Sequence, residues 1–328
     1  MGGSSQFNMT FPMLVGIIIA GILLADVMIL VRWLFYQYHV NQEVALVEAN
    51  GEVQEITDIF ETKRPLPTPS FRTSWSLIDP FLGFQAALLF VSLLALIPQG
   101  IIMARLLKSG GISDITARLM SDPWMIASTI FILYAQNGLF VGVVAFYLKR
   151  YGTSLRGIGL RPPTLKEVGL GVGLGFSMLA VANGLESLQT YLLPHLLSAK
   201  TIAELSALTE SFSAGSMFTK IHSPIAIVLF AIAGGLMAPI GEEVFFRGLL
   251  YNCLKRQFSI RIGIVGSGLC FALIHISPLA IPIIFLMGMF LALVYEKTKS
   301  LWVTILIHAI NNSAIFFWLA IHPATAAK

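Results

Sequence analysis

The chain returns repeatedly to long apolar runs separated by short clusters of charge, near 11–34, 81–104, 124–148, 168–193, 223–241, 262–277, 280–296 and 301–321. A run of about 18 or more such residues is what a bilayer demands of a spanning helix. The pattern predicts an all-α polytopic membrane protein with about eight transmembrane helices. Composition agrees: 56% of the 328 residues are hydrophobic and 12% charged, where a soluble domain carries about 25% charge.

The remaining bulk properties narrow the class. Cys253 and Cys270 form no Cys-x-x-Cys motif and suggest no disulfide framework. The formal charge of +4 fits basic loops at a membrane rather than nucleic-acid binding. The segment MGGSSQFNMT has no Lys or Arg, so the first apolar run reads as a retained helix. The one sizeable polar stretch, 37–76, is acidic in its middle and Pro-rich near its end, and reads as a loop or small appendage. No internal repeat is evident, which weighs against inverted-repeat transporters. If the loop after the third run faces the cytoplasm, alternation puts 15 of the 21 Lys and Arg residues inside. The segment 105–122 then carries Arg105, Lys108 and Arg118 on the outer side.

Ionisable groups at membrane depth cost several kcal/mol unless paired or hydrated, so each is a candidate for function. Three such groups fall in the C-terminal third. Glu242 and Glu243 close the run ending at 241, and adjacent carboxylates on a helix point about 100° apart. Glu243 and Arg247 are spaced i,i+4 in the favourable order for an ion pair, which leaves Glu242 on a neighbouring face as a candidate general base. His275 ends the sixth run, and His308 and Asn312 share a face of the eighth. Each alone reads more readily as structure: an interfacial ion pair, a packed histidine, interhelical hydrogen bonding. Together they supply a base, its orienter and donors for an oxyanion, with no Ser or Cys placed as a nucleophile. Asp26 and Glu186 are further costly acids. Gln136 and Asn137 read as interhelical hydrogen-bonding residues, and the glycines from Gly169 to Gly175 as a close helix contact.

The ordered set Glu-Glu-x-x-x-Arg, Phe-x-x-x-His and His-x-x-x-Asn resembles the CAAX-protease and bacteriocin-processing family of intramembrane glutamic endopeptidases. The flanking Phe246-Arg247-Gly248-Leu249-Leu250 and Ser300-Leu301-Trp302 agree. The resemblance covers roughly 223–321. It divides the chain into N-terminal transmembrane helices over 1–222 and a catalytic helical region over 223–321. It implies that Glu242 and His275 activate water, that His308 and Asn312 stabilise the oxyanion, and that Glu243 with Arg247 supports the site. The text Phe271-Ala272-Leu273-Ile274-His275-Ile276-Ser277 is closer to the prokaryotic branch, which places the protein in a prokaryotic cytoplasmic membrane.

The expected partners are membrane lipid and a hydrophobic or lipid-anchored peptide or membrane-protein substrate, cut near the cytoplasmic face. No nucleic acid and no cofactor are expected. Zinc held by Glu242, His275 and His308 is a lesser alternative on ligand type alone, since no His-Glu-x-x-His motif is present. The competing functional reading is a non-catalytic immunity or regulatory protein that keeps the polar cluster for helix packing. A small-solute transporter is a third.

Overall fold

The computed structural model describes residues 78–110, 115–150, 152–211 and 221–321, together with residues 215 and 218. The run 11–34, Asp26 and the polar stretch 37–76 lie outside the described residues. The described chain is helical: α1 (Ile78–Gly110), α2 (Ile115–Ser121), α3 (Pro123–Arg150), α4 (Leu165–Leu196), α5 (Ala199–Ser211), α6 (Pro224–Gln257), α7 (Ile260–Leu273), α8 (Ile281–Thr298) and α9 (Leu301–Ile321). Six of these, α1, α3, α4, α6, α8 and α9, are long and apolar enough to cross a membrane. The protein is an all-α polytopic membrane protein. Its outer faces expose Phe90, Leu96, Ile97, Phe131, Phe176 and Phe317, each more than half accessible, as surfaces against lipid must.

Two of the expected spans differ. The fifth run does not stop at 241; α6 continues to Gln257, because the charges that end the hydropathy signal are satisfied inside the bundle. The sixth is no full span. α7 has 14 residues, a rise of about 21 Å against about 30 Å of hydrocarbon. Residues 274–280 carry the chain onward without regular helix. Irregular backbone at that depth persists only where protein or a cavity supplies its hydrogen bonds. Here Leu279 N–H donates to Thr209 Oγ1 (3.2 Å), and its carbonyl accepts from Gln189 Nε2 (2.6 Å).

Close approaches set the packing. Gly171 and Gly175 of α4 lie against Leu306 and Ile310 of α9, so tightly that a methyl at Gly175 would come within 2.6 Å of the Ile310 side chain. Within the Gly169–Gly175 stretch, Gly171 and Gly175 thus make the helix contact, while Gly169 and Gly173 face away from it. Glu186 is exposed on α4, about 30 Å along from Leu165, and so falls at the far interface. Arg105 and Asp122 form an ion pair, which accounts for a basic residue in the otherwise puzzling segment 105–122.

α6 owes its local shape to two π-helical segments, Ala233–Met237 and Val244–Tyr251, on either side of Ala238–Glu243. Widened turns free carbonyls from the helix ladder. Side-chain donors take them: Asn312 Nδ2 to Gly234 O (3.0 Å), Ser313 Oγ to Gly235 O (3.3 Å), and Asn252 Nδ2 to the carbonyls of Arg247 (3.1 Å) and Gly248 (3.0 Å).

Candidate active site

The Glu242–Glu243 pair sits between those two widened turns, and the two carboxylates have separate surroundings. Glu243 is fully buried, and its Oε1 accepts from Arg247 Nη1 (2.7 Å) and from His308 Nδ1 (2.9 Å). Arg247 is also fully buried; its Nη2 donates to Gly288 O (3.0 Å) and its guanidinium lies 4.6 Å from the Phe271 ring centroid. Gly288 can present that carbonyl because α7 and α8 touch there, with Gly268 Cα 2.9 Å from where a Cβ on Gly288 would stand.

Glu242 points to the other side of His308. Its Oε2 stands 3.8 Å from His308 Nε2 and has no hydrogen-bond donor among the described residues. His308 therefore bridges the carboxylates, bonded to Glu243 through Nδ1 and facing Glu242 through Nε2. With Nδ1 donating to a carboxylate, the neutral ring keeps Nε2 as its basic nitrogen.

The remaining two residues lie at the edges of this group. His275 Nδ1 bonds the Phe271 carbonyl (2.7 Å). A carbonyl only accepts, so Nδ1 carries the proton and Nε2 is left as an acceptor. Phe271 stands between the two imidazoles, its ring 4.9 Å from His275 and 5.5 Å from His308. Among the described residues, His275 makes no ion pair with either glutamate. Among the described residues Asn312 makes no hydrogen bond to His308; its Nδ2 donates to Gly234 O, as described above. Among the described residues no group of three or more His, Cys, Asp or Glu stands together as a metal would need.

The structure also brings in a residue that spacing alone read as interhelical hydrogen bonding. Asn137 of α3 is 4% exposed, and its side chain packs on Gly241, immediately before Glu242. A Cβ on Gly241 would lie 2.7 Å from Asn137 Oδ1 and 2.9 Å from its main-chain oxygen, so only glycine permits this approach. A lone amide more than a hundred positions away carries no local signal linking it to Glu242. The aromatic residues Phe246 and Phe271, with ring centroids 5.2 Å apart, wall the group from lipid.

What this arrangement can do is move a proton. A carboxylate without a donor, an imidazole with a free nitrogen beside it, and a second carboxylate behind that imidazole form a relay in a setting of low dielectric. Dipoles and charges act there far more strongly than in water.

Residues 224–314 match the family model described as type II CAAX prenyl endopeptidase Rce1-like. The membrane-embedded CAAX protease MroQ of Staphylococcus aureus is 33% identical over 114 residues, covering 33% of this chain and 45% of that protein. The putative membrane peptidase YdiL of Bacillus subtilis is 27% identical over 90 residues, covering 27% of this chain and 37% of that protein. The chain spans less than half the length of the curated relatives it matches. No solved structure matches.

Proposed function

Through residues 224–314 the chain belongs to the CAAX-protease and bacteriocin-processing family, and from that premise we propose that this prokaryotic integral membrane protein is an intramembrane endopeptidase. It cleaves a hydrophobic or lipid-anchored peptide by direct attack of water. The observation that carries the reading is the state of Glu242. It is a largely buried carboxylate with an unpartnered Oε2, beside an imidazole whose far nitrogen is held by a second carboxylate.

In the proposed reaction Glu242 takes one proton from a water molecule as the water oxygen bonds to the scissile carbonyl carbon. The carbonyl oxygen becomes an oxyanion; Asn312 supplies a donor near it, and His308 supplies a second through Nε2 once that nitrogen has taken the proton from Glu242. Asn312 keeps one amide hydrogen beyond the one given to Gly234 O. Collapse breaks the C–N bond, and the proton held at the site passes to the leaving amine. The products are one carboxylic acid, which releases its proton to water, and one amine, and no covalent enzyme intermediate forms. Glu243 stabilises positive charge on His308, as an acid behind an imidazole does in hydrolytic triads, while Arg247 keeps Glu243 ionised. His275, with Nε2 free, serves as the second basic group on the water side. His308 is the eighth residue of α9, about 10 Å from the helix start at Leu301, so cleavage falls in the half of the membrane nearer the basic loops.

The test compares membrane peptides by mass spectrometry between cells carrying wild type and Glu242→Gln. Peptides with new termini should appear only with wild type. Identical peptide sets, with both proteins inserted at equal levels, would return the protein to the immunity or regulatory reading.

A further inference from the structure

Asn137 is absent from the motifs that carry the family resemblance, yet its carboxamide packs on Gly241, the residue before Glu242. Three observations bear on it. The side chain is 4% exposed, in the middle of a predominantly apolar helix. Its Nδ2 donates to the Leu133 carbonyl (2.8 Å), and its Oδ1 finds no donor among the described residues. Exchanging the two amide atoms does not help, because Oδ1 would then face the Leu133 carbonyl, another acceptor.

A buried acceptor without a donor is unfavourable, and a leucine of similar size would pack there more cheaply. The cost is compounded at Gly241, where any side chain would collide with Asn137. One helix has therefore given up a side chain at Gly241 and the other an apolar residue at 137, which brings an unpaired oxygen beside the residue preceding Glu242. Glu242 Oε2 is likewise a buried acceptor without a donor. Both atoms ask for hydrogen, and water is a small molecule with two hydrogens to give.

Resting on the hydrolase reading above, we propose that Asn137 is a catalytic residue whose Oδ1 accepts one hydrogen of the attacking water while Glu242 takes the other. Holding both hydrogens fixes the direction of the oxygen lone pair. A water held by Glu242 alone rotates about that bond and spends most of its time misdirected. Fixing it turns a loosely held nucleophile into an oriented one, and a misplacement of about 1 Å costs on the order of 100-fold. During the reaction the hydrogen shared with Asn137 stays on the oxygen as it becomes the hydroxyl of the tetrahedral intermediate. The proton taken by Glu242 is the only one transferred in this step.

The experiment uses full-length protein in lipid nanodiscs and a quenched fluorogenic peptide copied from a cleavage site found in the Glu242→Gln comparison. Asn137→Leu keeps the volume and removes the acceptor. It should lower kcat about 10–100-fold with KM within twofold, while raising the thermal unfolding midpoint. Asn137→Ala should lower kcat alike, which keeps the test available if the leucine variant fails to insert. Asn137→Asp, which retains an acceptor oxygen at the same place, should recover part of the loss. A purely structural role predicts that kcat and the unfolding midpoint fall together, and that result overturns the proposal. So does a rise in KM at unchanged kcat, which would make Oδ1 a contact to the substrate main chain. If wild type and Glu242→Gln cleave alike, the hydrolase reading fails. If only wild type cleaves and Asn137→Leu matches it, the water-orienting role fails alone.

Discussion

Burial makes the Glu243–Arg247–His308 group costly to keep, since all three side chains are enclosed. Glu243 and Arg247 are both fully enclosed, and a buried pair gains little net stability over an apolar replacement. Losing one partner is a different matter, because the other charge then stays buried and uncompensated. Arg247→Met should cost about 3–5 kcal/mol and give a lower midpoint in thermal unfolding of the detergent-solubilised protein. The double variant Glu243→Gln with Arg247→Met should regain most of that midpoint and remain inactive, since His308 no longer has a carboxylate behind it. Equal midpoints for the single and double variants would refute this account. The Glu243–Arg247 bond was legible in the sequence, because helical period fixes what stands four residues away. The share taken by His308, 65 positions on, was not legible, for no local pattern encodes which helices meet. The same gap hid Asn137, whose significance depends on a missing side chain at Gly241.

Among the elements, the broken passage from α7 to α8 has the most to do with function. His275 stands just beyond the end of α7, and Ile276 follows with a φ of 47°, a left-handed conformation costing a β-branched residue about 1–2 kcal/mol. Something must hold that backbone. Gln189 of α4 and Thr209 of α5 do so by taking the carbonyl and the N–H of Leu279. The pair of helices outside the motif region thereby positions a motif residue. Gln189→Leu with Thr209→Val should lower kcat about tenfold and speed hydrogen exchange in 274–280, leaving exchange in α9 unchanged. An unaltered exchange rate in 274–280 would remove these side chains from the account. Hydropathy read 262–277 as a span because averaging over a window cannot separate a half-helix followed by irregular chain from a full one. The break was nonetheless written in Ser277-Pro278, since the residue before a proline leaves the helical region. The extension of α6 past 241 was hidden for the opposite reason. Its charges look like an exit from the membrane until their partners on α8 and α9 are known.

For the whole molecule, the contacts gather the basic loops at one end of the bundle. Tyr295 Oη donates to Ile158 O (2.8 Å) and Leu301 N–H to Gly159 O (3.1 Å), tying the loop after α3 to the start of α9. Lys255 and Lys299 both pair with Glu296, which joins the ends of α6 and α8 to the same place. Lys149, Arg156, Arg161, Lys166, Arg256 and Lys297 belong to these same connections. Sequence alternation assigned the loops to one side by counting spans. The three-dimensional contacts reach the same grouping without counting, and so do not depend on the undescribed run 11–34 or on α7 being a complete span. A surface this rich in Lys and Arg is retained on the cytoplasmic side. An alkaline phosphatase reporter, active only outside the cytoplasmic membrane, should therefore be silent when fused after residue 160 and active when fused after residue 200, on the far side of α4. The reversed pattern would invert the bundle. It would also move the Glu242–His308 site to the outer half of the membrane, because His308 lies about 10 Å from the basic end whichever way that end faces. If the protein is the peptidase proposed above, orientation decides which compartment supplies the water and receives the cleaved peptide, and two fusions measure it.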